Sequence, residues 1–584
     1  MANLRSNASG TLGVRRRAAL LSMLGLAWGA VAGFAALATD TVAPAPLCER
    51  YQVRWRPAGD DGPFKPAAVY CSRPRSGPAA SYSRQDGAEF AAAAGLTMSH
   101  ATIVAAGPIT IEVERAEGGT DCTLRPMRLG LAAKQAGPQT VRIDLPARVA
   151  GLQLSVEFHD DLFTAYNDMS GISGSLVTEA VGPAIHTEPR HGLVLSVDPP
   201  RPELEPTDSD GTIFRPSPGM LENLETIDAD ILAFGPGTYE VPATSHVYLP
   251  ARVRWLHLAE GAYVRGAFEF RGEQEDYRVT GHGVLSGEHY PYECDRAHGY
   301  RSRPDGEGDS HATGLRMLQF YSRERPQRLS VTGITIVNPP YHSLVVFGDA
   351  NSFVTTFADY KQVGGWYWQS DGLEVYRGGS IKNSFFHAND DVFKLYHSDT
   401  TVADCVVWKG ENGPVFQLGW SPRALHDIRV QRIDVIHNRI GWKDVKQNTG
   451  IINSARHYAD PGADNRAEPE QVTRDLLFED IRCEGMCPAA MRLYPLSSWK
   501  NVVIRDLVIE RWNELPLDAG ANRLEPLWNA DRSQRAGLDG LRLEGYRVAG
   551  EVVTLKGDNW RHDQAGRLDF DGSQWGRWEA VEGK

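Results

Sequence analysis

From Ser370 to Asp399 the chain reads SDGLEVYRGGSIKNSFFHANDDVFKLYHSD. Asp390 and Asp391 are adjacent, and neighbouring carboxylates repel. Three chemistries fit such a pair: a solvated turn, a cation site, or an acid working beside a base. The other pairs of this kind, Asp60-Asp61 and Asp160-Asp161, read as surface turns. The pair at 390–391 differs because it abuts the apolar run Val392–Leu395. A third carboxylate joins it through a repeat. "DGLEVY" at 371–376 and "DVFKLY" at 391–396 match at an offset of 20, and "PVFQLG" at 414–419 continues the series at an offset of 23. Equivalent strands on successive turns lie about 4.8 Å apart. Asp371 then falls directly below Asp391, with Asp390 beside it. Clustered carboxylates cannot all ionise cheaply, so at least one holds its proton and the others serve as bases. That division of labour suits inverting glycoside hydrolysis, where acid and base stand about 6.5–9.5 Å apart with water between. Calcium is the competing reading, since it takes about six to eight oxygens. The acid–base reading is preferred, and no metal or cofactor is expected.

The elements that would hold these acids recur. Beyond about residue 225, short strands return every 20 to 28 residues, among them "LSVTGITIVN", "GSIKNSFFH", "TTVADCVVWK" and "KNVVIRDLVIE", with no amphipathic helix between them. A period of that size marks a repeat architecture. Strand-only units with Asn and Gly at the corners point to a right-handed parallel β-helix. A propeller is the runner-up, but each blade needs about 40 residues and four strands. In this register Glu374, Lys394 and Gln417 form a polar ladder. Residues 40–200 differ: short alternating strands such as "ITIEVE" and "TVRIDL" indicate an antiparallel β-sandwich. The acidic, proline-rich stretch at 198–211 reads as the linker. Arg15–Arg17, the uncharged run from Ala18 to Ala38 and the closing Ala-Leu-Ala read as an export signal. The expected organisation is all-β: signal at 1–38, sandwich at 39–200, parallel β-helix at 201–584.

A formal charge of −13 and pI near 5.8 exclude the basic footprint of a nucleic-acid binder. No stretch outside the leader could span a bilayer. A periplasmic or extracellular monomer acting on a polysaccharide is expected. The seven cysteines fit an exported protein, and Cys48/Cys71 and Cys483/Cys487 are candidate disulfides. Trp366, Tyr367, Trp368, Tyr376, Tyr396, Trp408 and Trp420 cluster near the acids. Some should stack on sugar rings, and about half should be core. The candidate substrate contacts are Tyr341, Trp368, His387, Lys394, Tyr396, Lys409, Asn412, Gln417 and Trp420, with His387 equally readable as a structural group.

The stretches "SDGLEVY", "FFHANDDVFKLYHS", "VVWKGENGPVFQLGW" and "IDVIHNR" resemble glycoside hydrolase family 49, the dextranases and isopullulanases. They cover about 70 residues densely. The resemblance implies an N-terminal β-sandwich, a right-handed parallel β-helix and three catalytic aspartates that invert the anomeric centre. Carried over by motif, Asp390 is the general acid, while Asp371 and Asp391 hold and activate water. The implied substrate is an α-glucan, dextran at α-1,6 bonds ahead of pullulan at α-1,4 bonds. Polygalacturonases, of family 28, share the Asp…Asp-Asp pattern but need Gly-His-Gly and Arg-x-Lys after the acids. Here Gly281-His282-Gly283 lies upstream, and Arg439 and Lys443 have the wrong spacing. A non-catalytic carbohydrate-binding β-helix is the last alternative. It would keep the aromatics but have no use for stacked acids.

Overall fold

The computed structural model describes residues 42–74, 88–147, 151–171, 174–302, 312–349, 352–441, 450–454, 466–516, 522–524, 526–553 and 576–581. The expected export signal at 1–38 and Lys443 lie outside these residues.

Alternation of apolar and polar residues builds the N-terminal sheets. In Tyr51–Pro57 the side chains of Tyr51 and Val53 are buried while Gln52 and Arg54 face water. One five-stranded sheet runs Lys65–Ala67, Tyr51–Pro57, Ile109–Arg115, Thr140–Leu145, Ala133–Gln135, antiparallel throughout. The second runs Tyr70–Ser72, Thr97–Val104, His191–Asp198, Leu152–Phe158, Cys122–Arg125. One pair departs from the expected antiparallel order, because His191–Asp198 lies parallel to Thr97–Val104. Parallel neighbours need a long connection, and the chain between Val104 and His191 supplies it. Ile111, Val113, Ile143, Leu154, Val156, Leu193 and Leu195 fill the space between the sheets.

From Ile213 onward the strands of the turns pair in parallel, each with its equivalent on the next turn, and only two short pairs, Cys294–Asp295 with Arg301–Ser302 and Arg547–Val548 with Glu551–Val552, are antiparallel among the described residues. The interior is a ladder of stacked apolar side chains, one per turn: Leu232, Leu256, Val279, Val331, Phe357, Ile381, Val402, Val430, Phe478, Ile504 and Leu543. All are buried. No α-helix interrupts these turns among the described residues. The spacing along the ladder is 21 to 28 residues where turns are plain, and longer after Val279, Val430 and Ile504, where extra residues are inserted. Corners need left-handed backbone, which Gly, Asn and Asp adopt most readily. One column of corners is Gly281, Gly333, Asp359, Asn383, Asp404, Arg432, Asp480, Asp506 and Gly545, all with positive φ. Gly281 of the Gly-His-Gly triplet is therefore a corner, and His282 faces Asp198 at 3.2 Å.

The N-terminal region is joined to the β-helix by buried and part-buried polar contacts as well as apolar ones. Lys361 meets Asp198 at 2.5 Å, Arg201 meets Asp359 at 2.7 Å, and Arg125 meets Glu484 at 2.6 Å. His437 bridges Glu157 (2.7 Å) and His186 (2.8 Å). Met98, Phe163 and Val194 pack in one cluster with Trp366, Tyr367, Phe385, Trp408 and Ile436. All seven cysteines are free thiols, but Cys48 bonds Cys71 through its side chain, and Cys483 bonds Cys487. Both expected pairs are thus in contact as thiols rather than bridged.

Candidate active site

A third face of the β-helix carries the acids. Leu373–Glu374, Phe393–Lys394 and Phe416–Gln417 stack in parallel, with Leu373 opposite Phe393 opposite Phe416. This is the register expected from the repeat. Asp371 and Asp391 occupy equivalent places at the mouths of adjacent strands, and the Gly372 N–H donates to the Asp391 carbonyl at 3.0 Å. The polar ladder also forms as expected. It continues from Glu374, Lys394 and Gln417 to Asn453, Arg492 and Arg523.

Asn389 sets the short loop that presents Asp390 and Asp391. Its side-chain N–H donates to the Trp366 carbonyl of the turn below (2.9 Å), and its Oδ1 accepts from the N–H groups of Glu411 (2.6 Å) and Asn412 (2.9 Å) on the turn above. One fully buried amide thereby ties three consecutive turns together. The overlying loop must pass close to the acids, and Gly413 allows it. Gly413 has φ +68°, and a Cβ there would lie 2.4 Å from Asp390 Oδ1.

The electrostatics separate the three acids. Asp371 accepts from Lys394 Nζ at 2.6 Å and faces His342 Nε2 at 3.5 Å. Burial alone would pull the Lys394 ammonium down, but Asp371 and Glu374 hold it above its ordinary range. Asp390 accepts from Asn412 Nδ2 at 2.7 Å and from the Asp391 N–H at 2.9 Å. Its carboxyl is pushed well above the usual range, by burial first and then by Asp371 and Asp391. Asp391 is pushed up to about 7 by burial and Asp371, with Lys394 and Gln417 opposing. Like-charge repulsion thus acts as expected, but burial contributes more. Two buried lysines beside the acids also weigh against calcium, which would have to displace the Lys394 ammonium from Asp371.

The candidate contacts divide by exposure. Trp368, Tyr396, Asn412 and Trp420 are half-exposed around the acids. Tyr396 Oη approaches Asp391 Oδ2 at 3.4 Å, and its ring packs edge-on toward Trp420. The other five are buried. Tyr341 is 1% exposed, stacked on His342 with Arg316 above the ring. His387 is a core imidazole packed against Trp366 and Trp408, and burial holds it well below its ordinary range. Lys409 is 0% exposed and its ammonium donates to the Asn412 carbonyl. Lys394 is committed to Asp371. Gln417, also 0% exposed, spans from Asp391 Oδ1 (3.4 Å) to the Gly419 N–H (3.0 Å). Lys394 and Gln417 bond Asp371 and Asp391 directly, Lys409 bonds the loop above them, and Tyr341 and His387 are core. Of the seven clustered aromatics, Trp366, Tyr367, Tyr376 and Trp408 are core, close to the expected half.

Sequence reasoning passed over Asn389, His342, Gln362 and Glu411. Gln362 Nε2 donates to the Asp371 carbonyl at 2.9 Å, and Trp368 Nε1 donates to Glu411 Oε2 at 3.3 Å. Only Asn389 and Glu411 carried a signal, since both sit inside the quoted motifs "ANDD" and "GENG".

A parallel β-helix with a sandwich at its flank, carrying a carboxyl pushed well above its usual range beside an ion-paired carboxylate among half-exposed aromatic rings, fits a glycoside hydrolase. Comparison with known proteins specifies it further. The glycosyl hydrolase family 49 signature matches residues 462–581, its N-terminal Ig-like domain matches 43–200, and the isopullulanase β-solenoid repeat matches 408–440. A dextranase of Arthrobacter globiformis is 43% identical, over 91% of this chain and 86% of its own. An isopullulanase of Aspergillus niger is 28% identical, over 76% of each. The solved structure of Dex49A from Penicillium minioluteum superposes with a TM-score of 0.82 at 27% identity, covering 93% of this chain and 96% of that one. The chain belongs to glycosyl hydrolase family 49. No helix among the described residues is long and apolar enough to cross a membrane.

Proposed function

We propose that this protein is an exported dextranase that cuts α-1,6-glucosidic bonds within the chain and inverts the anomeric centre. Dextran is placed ahead of pullulan because the dextranase likeness is 43% against 28% for the isopullulanase. The observation that carries the chemistry is the contrast within one cleft. The Asp390 carboxyl is pushed well above the usual carboxylate range by burial and by Asp371 and Asp391, while Asp371 is ion-paired with Lys394. Asp390 gives its proton to the glycosidic oxygen. The Asn412 amide donates to one carboxyl oxygen of Asp390 and holds the group in place. Asp371 and Asp391 hold water on the other side of the ring. Asp391, whose proton affinity is raised toward neutrality, takes the proton as the water attacks, since a base works best with a pKa near the working pH. Trp368, Tyr396 and Trp420 offer ring faces or edges to the sugars.

The test is product analysis on dextran and pullulan in parallel, with a proton NMR time course. The expected result is reducing ends from dextran, β-anomer first. Cleavage of pullulan alone moves the assignment to the isopullulanase side of the family, and α-anomer appearing first overturns the inverting mechanism.

A further inference from the structure

Nothing in the mechanism above uses the N-terminal domain, yet one of its carboxylates lies at the root of the active-site loop. Glu188, on the strand Ala184–Pro189 of a three-stranded sheet beside the sandwich in the N-terminal domain, is buried. It accepts from the indole N–H of Trp408 at 2.8 Å and from the guanidinium of Arg439, both on the β-helix. Arg439 is 2% exposed and lies over the ring of Phe90, another residue of that domain, at 5.4 Å. Its Nε faces Glu411 Oε1 at 4.0 Å, and its backbone N–H donates to the Lys409 carbonyl at 3.0 Å. Glu411 holds Trp368 through the indole N–H, and Lys409 holds Asn412, which grips Asp390. The loop carrying the amide that touches Asp390 is therefore built on a guanidinium whose full counter-charge comes from the other domain.

We propose that Glu188 is a positioning residue for the hydrolytic reaction. From the N-terminal domain it pins Arg439, and Arg439 sets the 409–412 loop that orients Asp390 and Trp368. This rests on the assignment of Asp390 as the acid. Without Glu188, Arg439 has only Glu411 to pair with among the described residues. It then draws Glu411 off the Trp368 indole and tilts the loop. The unbalanced positive charge also reaches Lys409, which faces Asp390, Asp391 and Asp371 as well as Arg439. Asp390 then releases its proton more easily.

The test is Glu188→Gln in the full-length protein, which keeps the shape and removes the charge. The expected result is a kcat on dextran about tenfold lower with KM changed less than about twofold. The alkaline limb of the pH profile should move acidward by about half a unit. Glu188→Gln with Arg439→Gln removes both charges and should recover most of kcat and return the limb. A folded Glu188→Gln with normal kcat and an unmoved limb overturns the proposal, as does a double variant no better than the single one. If Glu188→Gln does not fold, Glu188→Asp keeps the charge but shortens the reach. A several-fold lower kcat in it supports the proposal, and an unchanged kcat overturns it. Asp390→Asn is measured beside them. If it keeps full turnover, the acid assignment fails on its own, while the recovery of kcat in the double variant still judges Glu188.

Discussion

Replacing Asp391 by Asn should abolish turnover and yet stabilise the fold at neutral pH. Asp391 is 3% exposed, and its carboxyl is raised from 3.8 in a free chain to about 7. Below about pH 4 both folded and unfolded chains hold the proton, so the group contributes nothing. Between about 4 and 7 the unfolded chain gives up its proton while the folded one keeps it, and stability falls as pH rises. Above 7 the full penalty is present. A shift of about three units at 1.36 kcal/mol each gives a ceiling of about 4 kcal/mol. That net shift already contains the attraction of Lys394, and Asn keeps an oxygen for Gln417, so what offsets it is the changed hydrogen bonding of an amide in a carboxyl's place, about 1–2 kcal/mol. The expected gain is about 2–3 kcal/mol at pH 7.5, shrinking to near zero at pH 4. Denaturant unfolding of both proteins at the two pH values measures it. A variant no more stable than the parent at pH 7.5, or equally stabilised at pH 4, would refute the argument that burial and Asp371 strain an ionised Asp391.

Three further outcomes follow from the same geometry. Asp390→Asn should lower kcat on dextran by about 10²–10⁴-fold, the usual worth of a general acid. It should be partly rescued on glucosides with acidic leaving groups, and equal loss on both substrates would contradict the acid role. Lys394→Met removes a charge that holds Asp391 down, so the acid limb of the pH–rate profile should move to higher pH as well as kcat falling. A limb that stays in place would place Lys394 outside the electrostatics. Gly413→Ala forces a side chain into left-handed backbone, at about 1–2 kcal/mol, and against Asp390 Oδ1. It should cost at least tenfold in kcat while circular dichroism stays unchanged, and full activity would show that the loop has room to move.

The register of the catalytic strands was legible in the sequence because a β-helix repeats its strands with little slack. Inward side chains must stack on their equivalents, so the apolar positions of "DGLEVY", "DVFKLY" and "PVFQLG" align themselves. Leu373, Phe393 and Phe416 do stack, and the acids follow. Which side chains reach solvent was much less legible. Lys409, Gln417 and His387 have the composition of sugar-binding groups but are buried, because the loops of adjacent turns lie against one another and polar groups there bond loop to loop. Tyr341 was misplaced for a related reason: the sequence shows an aromatic residue before a histidine, not that the two rings stack face to face with an arginine above.

The least legible feature was the role of the first 200 residues. Glu188 and Arg439 are 251 positions apart, and neither belongs to a motif that names the other. A pairing of that range has no local signature, because it depends on how two separately built sheets meet. The contacts across that meeting are also polar, with Lys361–Asp198 and His437–Glu157 buried and Arg125–Glu484 part-buried. Buried pairs add little net stability when compared with apolar packing, but breaking one partner is severe. Such an interface tolerates few alternative dockings. Holding the sandwich in a single position matters only if something nearby depends on that position, and the loop that carries Asn412 and Asp390's hydrogen bond is the structure that does.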